Sequence, residues 1–406
     1  MNTSHRSRTP KIFGNLLSLF LLLLPSAAIW QSQAAVAQQQ TSTARFTESL
    51  KFQEIEPGIE YGQTSSGHAS NDESTGPWLI NVVRVDLTRA RLKIVHALDE
   101  GVGLETVSSL AARYHAPAAV NGGYFRVAGT YRGDSIGLLL LDRNLISESY
   151  RERAAFGLID LGNKSEIVFA HLKFSGEVSL GAAKHAVDGL NRPIEPDELI
   201  VFTPKFHRTT LTTPDGIEVV VRRNQVSAVL DHKGSSDIPA DGYVISAAGK
   251  SREWLLANAR KGSKITFSWR LKSIEAGDNT DWNRPYSLLG GGPQLIKAGK
   301  IAITDKQEKM SATFAADRHP RTAIAKLGSG KLLLVTVDGR QPGVSSGMSL
   351  YLLADLLLEL GAVEAMNLDG GGSTTMVIQN KIVNKPSDQT GERPVSDAIL
   401  VFAKPK

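Results

Sequence analysis

The chain has 406 residues, is 41% hydrophobic, carries a formal net charge of +5 and contains no cysteine. Its length and apolar content support a substantial core in one or two domains. The missing thiols exclude disulfides, thiolate nucleophiles, cysteine-bound zinc and anchoring through a lipidated N-terminal cysteine.

At the N-terminus His5, Arg6, Arg8 and Lys11 precede an apolar run from Leu16 to Leu24, followed by Pro25, small residues and Ala35-Val36-Ala37. Basic, apolar and Ala-x-Ala segments in that order are those of a secretory signal cleaved after Ala37. The alternative, a retained anchor from Ile12 to Trp30, is interrupted by Asn15, Ser18 and Pro25. Residues 1–37 therefore read as a signal peptide, 38–50 as a polar linker and 51–406 as the folded part. The product is expected to be periplasmic or secreted, with no stable membrane span after cleavage. Setting aside Arg6, Arg8 and Lys11 lowers the charge from +5 to +2. No dense basic run survives, which excludes nucleic acid as a partner.

Further along, Trp78 to Leu87 and Leu92 to Ala97 are β-type runs expected to form two strands around a turn. Val107 to Tyr114 is expected to be a short helix, and Ala118-Ala119-Val120 a strand entering Asn121-Gly122-Gly123-Tyr124-Phe125. About residues 160–280 the chain is strand-rich, with one helix expected from Ser251 to Arg260, and reads as a subdomain or insertion. Lys331 to Asp338 is an apolar strand ending in Asp338-Gly339-Arg340. Ser345 or Ser346 is placed to cap a helix running to Leu360, with Gly361 as its stop. The fold class expected is α+β: mixed β-sheets with packed helices, in one catalytic domain with a strand-rich middle subdomain.

The densest signal is Asn367-Leu368-Asp369-Gly370-Gly371-Gly372-Ser373, between an apolar run and the β-type run Thr374 to Gln379. Three consecutive glycines are costly to order, so something must approach the backbone closely or require several N–H groups. Asn121-Gly122-Gly123 and Gly290-Gly291-Gly292-Pro293 have a similar form, as if strand ends converged on one cleft. The β-type sequence after Gly372, where a phosphate loop would have a helix, argues against a nucleotide cradle, while exposed N–H groups can still cup an anion without a helix. Arg318-His319-Pro320-Arg321-Thr322 leads into an apolar strand and offers a guanidinium for an anion, with Arg340 as a second cation. No His-x-His or His-Glu-x-x-His spacing occurs; Asp338 and Asp369 leave hard-ion coordination open, and no metal ligand is assigned. Gly133-Asp134-Ser135-Ile136-Gly137 and Gly343-Val344-Ser345-Ser346-Gly347 fit Gly-x-Ser-x-Gly, but neither has the strand–turn–helix setting followed by acid and histidine that a serine triad needs.

Taken in order, Asn121-Gly122-Gly123-Tyr124-Phe125, Gly290-Gly291-Gly292-Pro293, Arg321-Thr322-Ala323-Ile324, Asp338-Gly339-Arg340 and Asn367-Leu368-Asp369-Gly370-Gly371-Gly372-Ser373 resemble the phosphodiester glycosidase family, over about residues 75–405. Asn191-Arg192-Pro193 through Gly216-Ile217-Glu218-Val219-Val220 is similar to bacterial relatives, whereas the cysteines and extra modules of the animal enzymes are missing. The resemblance implies hydrolysis of the glycosidic bond of a sugar-1-phosphodiester, with a sugar-phosphate or anionic glycan as substrate, in envelope or exopolysaccharide metabolism. No cofactor is required by that chemistry, and a divalent cation stays open. The alternatives are a phosphodiesterase cutting P–O and a non-catalytic module binding anionic polysaccharide. On the resemblance, Arg321 with Thr322 and Arg340 would meet the phosphate, aided by N–H groups of Gly122, Gly123, Gly291, Gly292, Gly370, Gly371, Gly372 and Ser373. Asp369 would stabilise an oxocarbenium-like state or activate water, Asn121 would orient a sugar hydroxyl, and His319 or Asp338 would assist proton transfer.

Overall fold

A computed structural model describes residues 45–68, 76–162, 165–282 and 284–405. The signal peptide expected over 1–37 and the first part of the linker lie outside the described residues. Phe46, within the stretch read as linker, is buried against Trp78 with ring centroids 5.3 Å apart.

An antiparallel sheet of eight strands forms the platform for the site. Its spatial order is Gln53–Glu56, Ile59–Ser66, Trp78–Val85, Leu332–Val337, Arg321–Leu327, Ala362–Asn367, Gln294–Lys297 and Lys300–Ile301. The inner strands are apolar on both faces because both are covered. On one face, Leu350, Leu353, Leu356 and Leu357 of the Leu350–Glu359 helix pack against Val82, Val335 and Ala365. On the other, Val83, Ile324, Leu334 and Met366 meet Ile94, Val120 and Ile399 of a five-stranded sheet. That second sheet runs Lys381–Ile382, Met376–Ile378, Ala118–Asn121, Asp397–Ala403 and Ala90–His96, and the Val107–Tyr114 helix closes its far face.

The region about 160–280 supplies one further sheet and three strands of another. One has seven strands, in which Ser165–Leu180 is shared between Ala154–Asp160, Ala183–Val187 and Ile265–Ser273, while Ser287–Gly290 pairs Ala154–Asp160 with Leu139–Leu141. The other has five strands and is joined to the first through a core that includes Leu172, Val178, Val219 and Ile245.

Three expectations change. Trp78–Val85 and Ala90–His96 do not pair with each other: the first joins Ile59–Ser66 and Leu332–Val337, the second Asp397–Ala403. The Leu350–Glu359 helix starts at Ser349, whose hydroxyl accepts from Leu352 N at 3.2 Å; Ser345 instead donates to Asp338 O. Among the described residues there are three α-helices, of eight, ten and ten residues, so the fold is mainly β, with two helices sealing sheet faces and Gly249–Asn258 beside the fourth sheet. None of the described helices is long and apolar enough to cross a membrane.

Candidate active site

Asp369 lies just beyond the end of Ala362–Asn367, where strands of the two stacked sheets meet. Leu368 N donates to Thr322 O at 2.8 Å, and Asp369 N to Gly122 O at 3.1 Å. From the second sheet, Asn121 Nδ2 donates to Asp369 O at 2.7 Å. The acid is therefore clamped by backbone on both sides, while its side chain stays half-buried. Burial pushes its carboxyl from the usual 3.8 to about 6, and the charge of Asp397 adds to this. The Gly370 N–H, 2.8 Å from Oδ1, and the Arg393 charge act in the opposite sense. The Ser373 hydroxyl is buried without a close partner, yet lies near enough to favour the charged form as well.

The glycine runs are explained mostly by close packing. A Cβ at Gly122 would lie 2.0 Å from Asp397 Oδ1, one at Gly123 2.7 Å from Gly290 O, and one at Gly291 2.7 Å from Asn367 O. Their N–H groups are committed within the protein: Gly122 to Asp397 O, Gly123 to Asp397 Oδ1, Gly290 to Leu138 O, Gly291 to Ala154 O and Gly292 to Asn367 O. They do not form the anion cup expected from the sequence. In the third run, Gly370 N–H caps Asp369 and Gly371 N–H binds Pro320 O, and Gly371–Ser373 make a single 3-10 turn. Here guanidiniums come against the backbone: a Cβ would meet Arg340 Nη2 at 3.1 Å from Gly371 and Arg393 Nη2 at 2.1 Å from Gly372.

Four expected roles are corrected by this geometry. Arg321 is 2% exposed; Nε donates to Met348 O at 2.9 Å and Nη2 to Phe314 O and Asp317 O at 3.0 and 2.7 Å. Its guanidinium is a buried clamp on the 314–317 loop, not a fork offered to phosphate. Asn121 is fully buried and spends its amide on Asp369 O, Thr322 Oγ1 and Thr375 N, so it positions Asp369 rather than a sugar hydroxyl. Thr322, also buried, serves that same bond. Asp338 is fully buried, its carboxyl pushed up to about 6 by burial and held by Asn384 Nδ2 and Lys385 N at 3.1 and 2.8 Å. It anchors the 384–385 segment and does not face a substrate.

His319 and Arg340 do stand at the loop. Arg340 is exposed, and its Nη2 lies 3.3 Å from His319 Nδ1. Burial, with the charges of Arg321 and Arg340, holds His319 below its ordinary value, so its neutral form takes this bond at Nδ1 and carries its proton on Nε2.

Several residues were missed in the sequence. Asp397 is 1% exposed; its Oδ1 receives the Gly123 N–H at 2.6 Å and its Oδ2 the Ser396 hydroxyl at 2.7 Å. Tyr124 donates its hydroxyl to Gly292 O at 2.8 Å and accepts from Asn367 Nδ2 at 2.9 Å, joining all three glycine runs. Arg393 grips Asp388 with two bonds, of 2.7 and 2.9 Å, beneath Gly372. Tyr124 was visible as the residue after Gly122-Gly123; Arg393 and Asp397 carried no local signal. Beside Gly372, a cavity of about 350 Å³ is lined by Phe125, Val127, Arg132, Asp388 and Arg393. A larger one, about 430 Å³, is lined by Thr88, Glu166, Lys326 and Lys331. Lys326 is at the other end of the strand from Arg321, about 16 Å away at strand rise, which separates that cavity from Asp369. Among the described residues no group of three or more histidine, aspartate or glutamate side chains is disposed to hold a metal ion.

Residues 215–402 match the family model for phosphodiester glycosidase. The N-acetylglucosamine-1-phosphodiester alpha-N-acetylglucosaminidase of Bos taurus is 30% identical over 162 residues, 37% of this chain and 29% of that protein. The Homo sapiens protein of the same name is 34% identical over 181 residues, 41% of this chain and 34% of that one. The match thus spans about a third of these curated relatives. A solved protein of Burkholderia pseudomallei, provisionally described as exported, shares the fold with TM-score 0.77 at 24% identity, covering 88% of this chain and 96% of its own.

Proposed function

We propose, from the match of residues 215–402 to the phosphodiester glycosidase family model, that this is an exported hydrolase cleaving the glycosidic bond of a sugar-1-phosphodiester, in envelope or exopolysaccharide metabolism. The observation that carries this reading is Asp369: a half-buried acid of raised pKa, held rigidly by two sheets, on a glycine turn flanked by two guanidiniums. In such a substrate the C1–O bond breaks with its electron pair passing to a phosphate oxygen, which leaves as a stabilised phosphate monoester. Protonation of the leaving group matters little, so one well-placed acid suffices where an ordinary glycosidase uses two. The Asp369 carboxylate stabilises positive charge developing at C1 and accepts the proton of the attacking water. Arg340, exposed beside His319, makes the mouth of the site positive and draws in the anionic diester. His319 Nε2–H is available to a sugar or phosphate oxygen.

The test is turnover of a panel of sugar-1-phosphodiesters by wild type and Asp369→Asn. Loss of the carboxylate is expected to cost on the order of 2–4 kcal/mol in the transition state, roughly 30- to 1,000-fold in kcat/KM. Near-wild-type turnover by the variant would sink the assignment.

A further inference from the structure

The correction at Arg321 leaves Arg340, beside His319, as the expected cation still facing the loop, and a second cation for the phosphate is open. The residue best placed to be one is Arg153, which the family resemblance did not single out. It closes the turn from Tyr150 (Arg153 N to Tyr150 O, 3.2 Å) and immediately precedes Ala154, whose carbonyl accepts from Gly291 N at 3.0 Å. That bond brings Arg153 to the junction of the three glycine runs. Its guanidinium carbon is 5.5 Å from the centroid of the Tyr124 ring and 5.1 Å from that of Tyr150. Its Nε is buried and has no hydrogen-bond partner, and among the described residues it pairs with no carboxylate; neighbouring Glu152 pairs with Lys173 instead. Arg321, by contrast, is spent on carbonyls and Arg393 on Asp388.

A half-buried guanidinium that lies beside two aromatic rings, with its Nε lacking an acceptor, gains from a planar oxyanion partner. Tyr124 ties it to the reaction centre. Burial raises that phenol, the Asp369 charge raises it further, and the Arg153 charge lowers it, so acid and cation act on one ring. Tyr150, 37% exposed, presents an aromatic face beside the same guanidinium. Glu308 Oε2 and Asn367 Oδ1 are also buried without donors, and both belong to the neighbourhood of Gly292 and Tyr124.

We propose that Arg153, beside Tyr124 and Tyr150, is a phosphate-binding residue of this site and defines a subsite for the phosphoryl group of a sugar 1-phosphate or its diester. This rests on the glycosyl-phosphodiester reading, but binding and turnover test the two separately. The full mature chain is titrated calorimetrically with N-acetylglucosamine 1-phosphate and with N-acetylglucosamine, as wild type, Arg153→Ala, Arg153→Lys and Arg151→Ala. Thermal melts establish that each is folded. Arg151 is a suitable control because it is exposed, neighbours the same Tyr150 ring at 4.9 Å and has its own hydrogen bond to Lys309 O.

The expected result is phosphate-dependent binding weakened about tenfold or more in Arg153→Ala, a smaller loss in Arg153→Lys, and no change in Arg151→Ala. Binding of the phosphorylated sugar by Arg153→Ala as tight as wild type overturns the proposal, as does failure of wild type to bind it. If Arg153→Ala is misfolded, the Arg153→Lys comparison decides in the same way. Phosphate-dependent binding that needs Arg153, without turnover of any diester, upholds the subsite and refutes the hydrolase reading instead.

Discussion

Asp369→Asn tests whether the proposed reaction centre is maintained at a cost in stability. Burial moves the Asp369 carboxyl from 3.8 to about 6, so the folded protein holds that proton more tightly than the unfolded chain does. Its contribution to stability is therefore most favourable below about pH 4, declines as pH rises through about 6, and is constant above. The full difference corresponds to about 3 kcal/mol against the charged form, and the partial exposure of the side chain reduces this to about 1–3 kcal/mol. Asparagine removes the charge but keeps an acceptor for the Gly370 N–H, which lies 2.8 Å from Oδ1. Urea unfolding should thus find Asp369→Asn more stable than wild type by about 1–3 kcal/mol near pH 7.5, with the gain vanishing near pH 4. Asp338 is raised to the same value by burial, so the wild-type profile mixes both acids and only the difference between the proteins isolates Asp369. A variant equally or less stable near pH 7.5 would refute the argument that burial destabilises this carboxylate.

Arg321→Ala should act mainly on folding: three carbonyls each lose a donor, and chemical denaturation is expected to show a loss of about 3 kcal/mol. Loss of activity with unchanged stability would return Arg321 to the substrate. In wild type, kcat/KM for a diester should rise with pH through about 6 as Asp369 ionises, a limb absent from the residual activity of Asp369→Asn. His171, whose own burial lowers its pKa, is raised to about 9 by Glu275 and Glu308. Its stabilisation should be complete below about pH 6.5 and disappear as pH rises through about 9, by on the order of 3 kcal/mol. His171→Gln should remove this pH dependence from the unfolding curves, and its persistence would assign the effect to another group.

Local pattern carried much of this site, and long-range packing decided the rest. Asp369 and its glycines stood out because an acid beside three ordered glycines is costly anywhere in a chain. The Val107–Tyr114 helix follows its apolar spacing, with Thr106 as its cap. Arg321 shows the limit: a guanidinium at a strand entrance looks the same in sequence whether it faces solvent or carbonyls. Here the partner Met348 O is 27 residues away, and its position depends on how the Leu350–Glu359 helix returns to the sheet. Asn121 likewise suited a sugar hydroxyl until Asp369 O and Thr375 N, about 250 residues later, were found to use it. Tyr124 and Arg153 meet across a sheet junction, so neither spacing nor residue type marked them as a pair. The shortage of helix has a similar origin, since β-type runs about 160–280 build one five-stranded sheet and add three strands to a seven-stranded one.

The central claim, that water attacks the sugar carbon and the phosphate departs intact, is tested most directly by hydrolysing a sugar-1-phosphodiester in isotopically labelled water and locating the label by mass spectrometry. Label in the released sugar, with none in the phosphate monoester, is the predicted result. Label in the phosphate would show P–O cleavage and contradict the role assigned to Asp369.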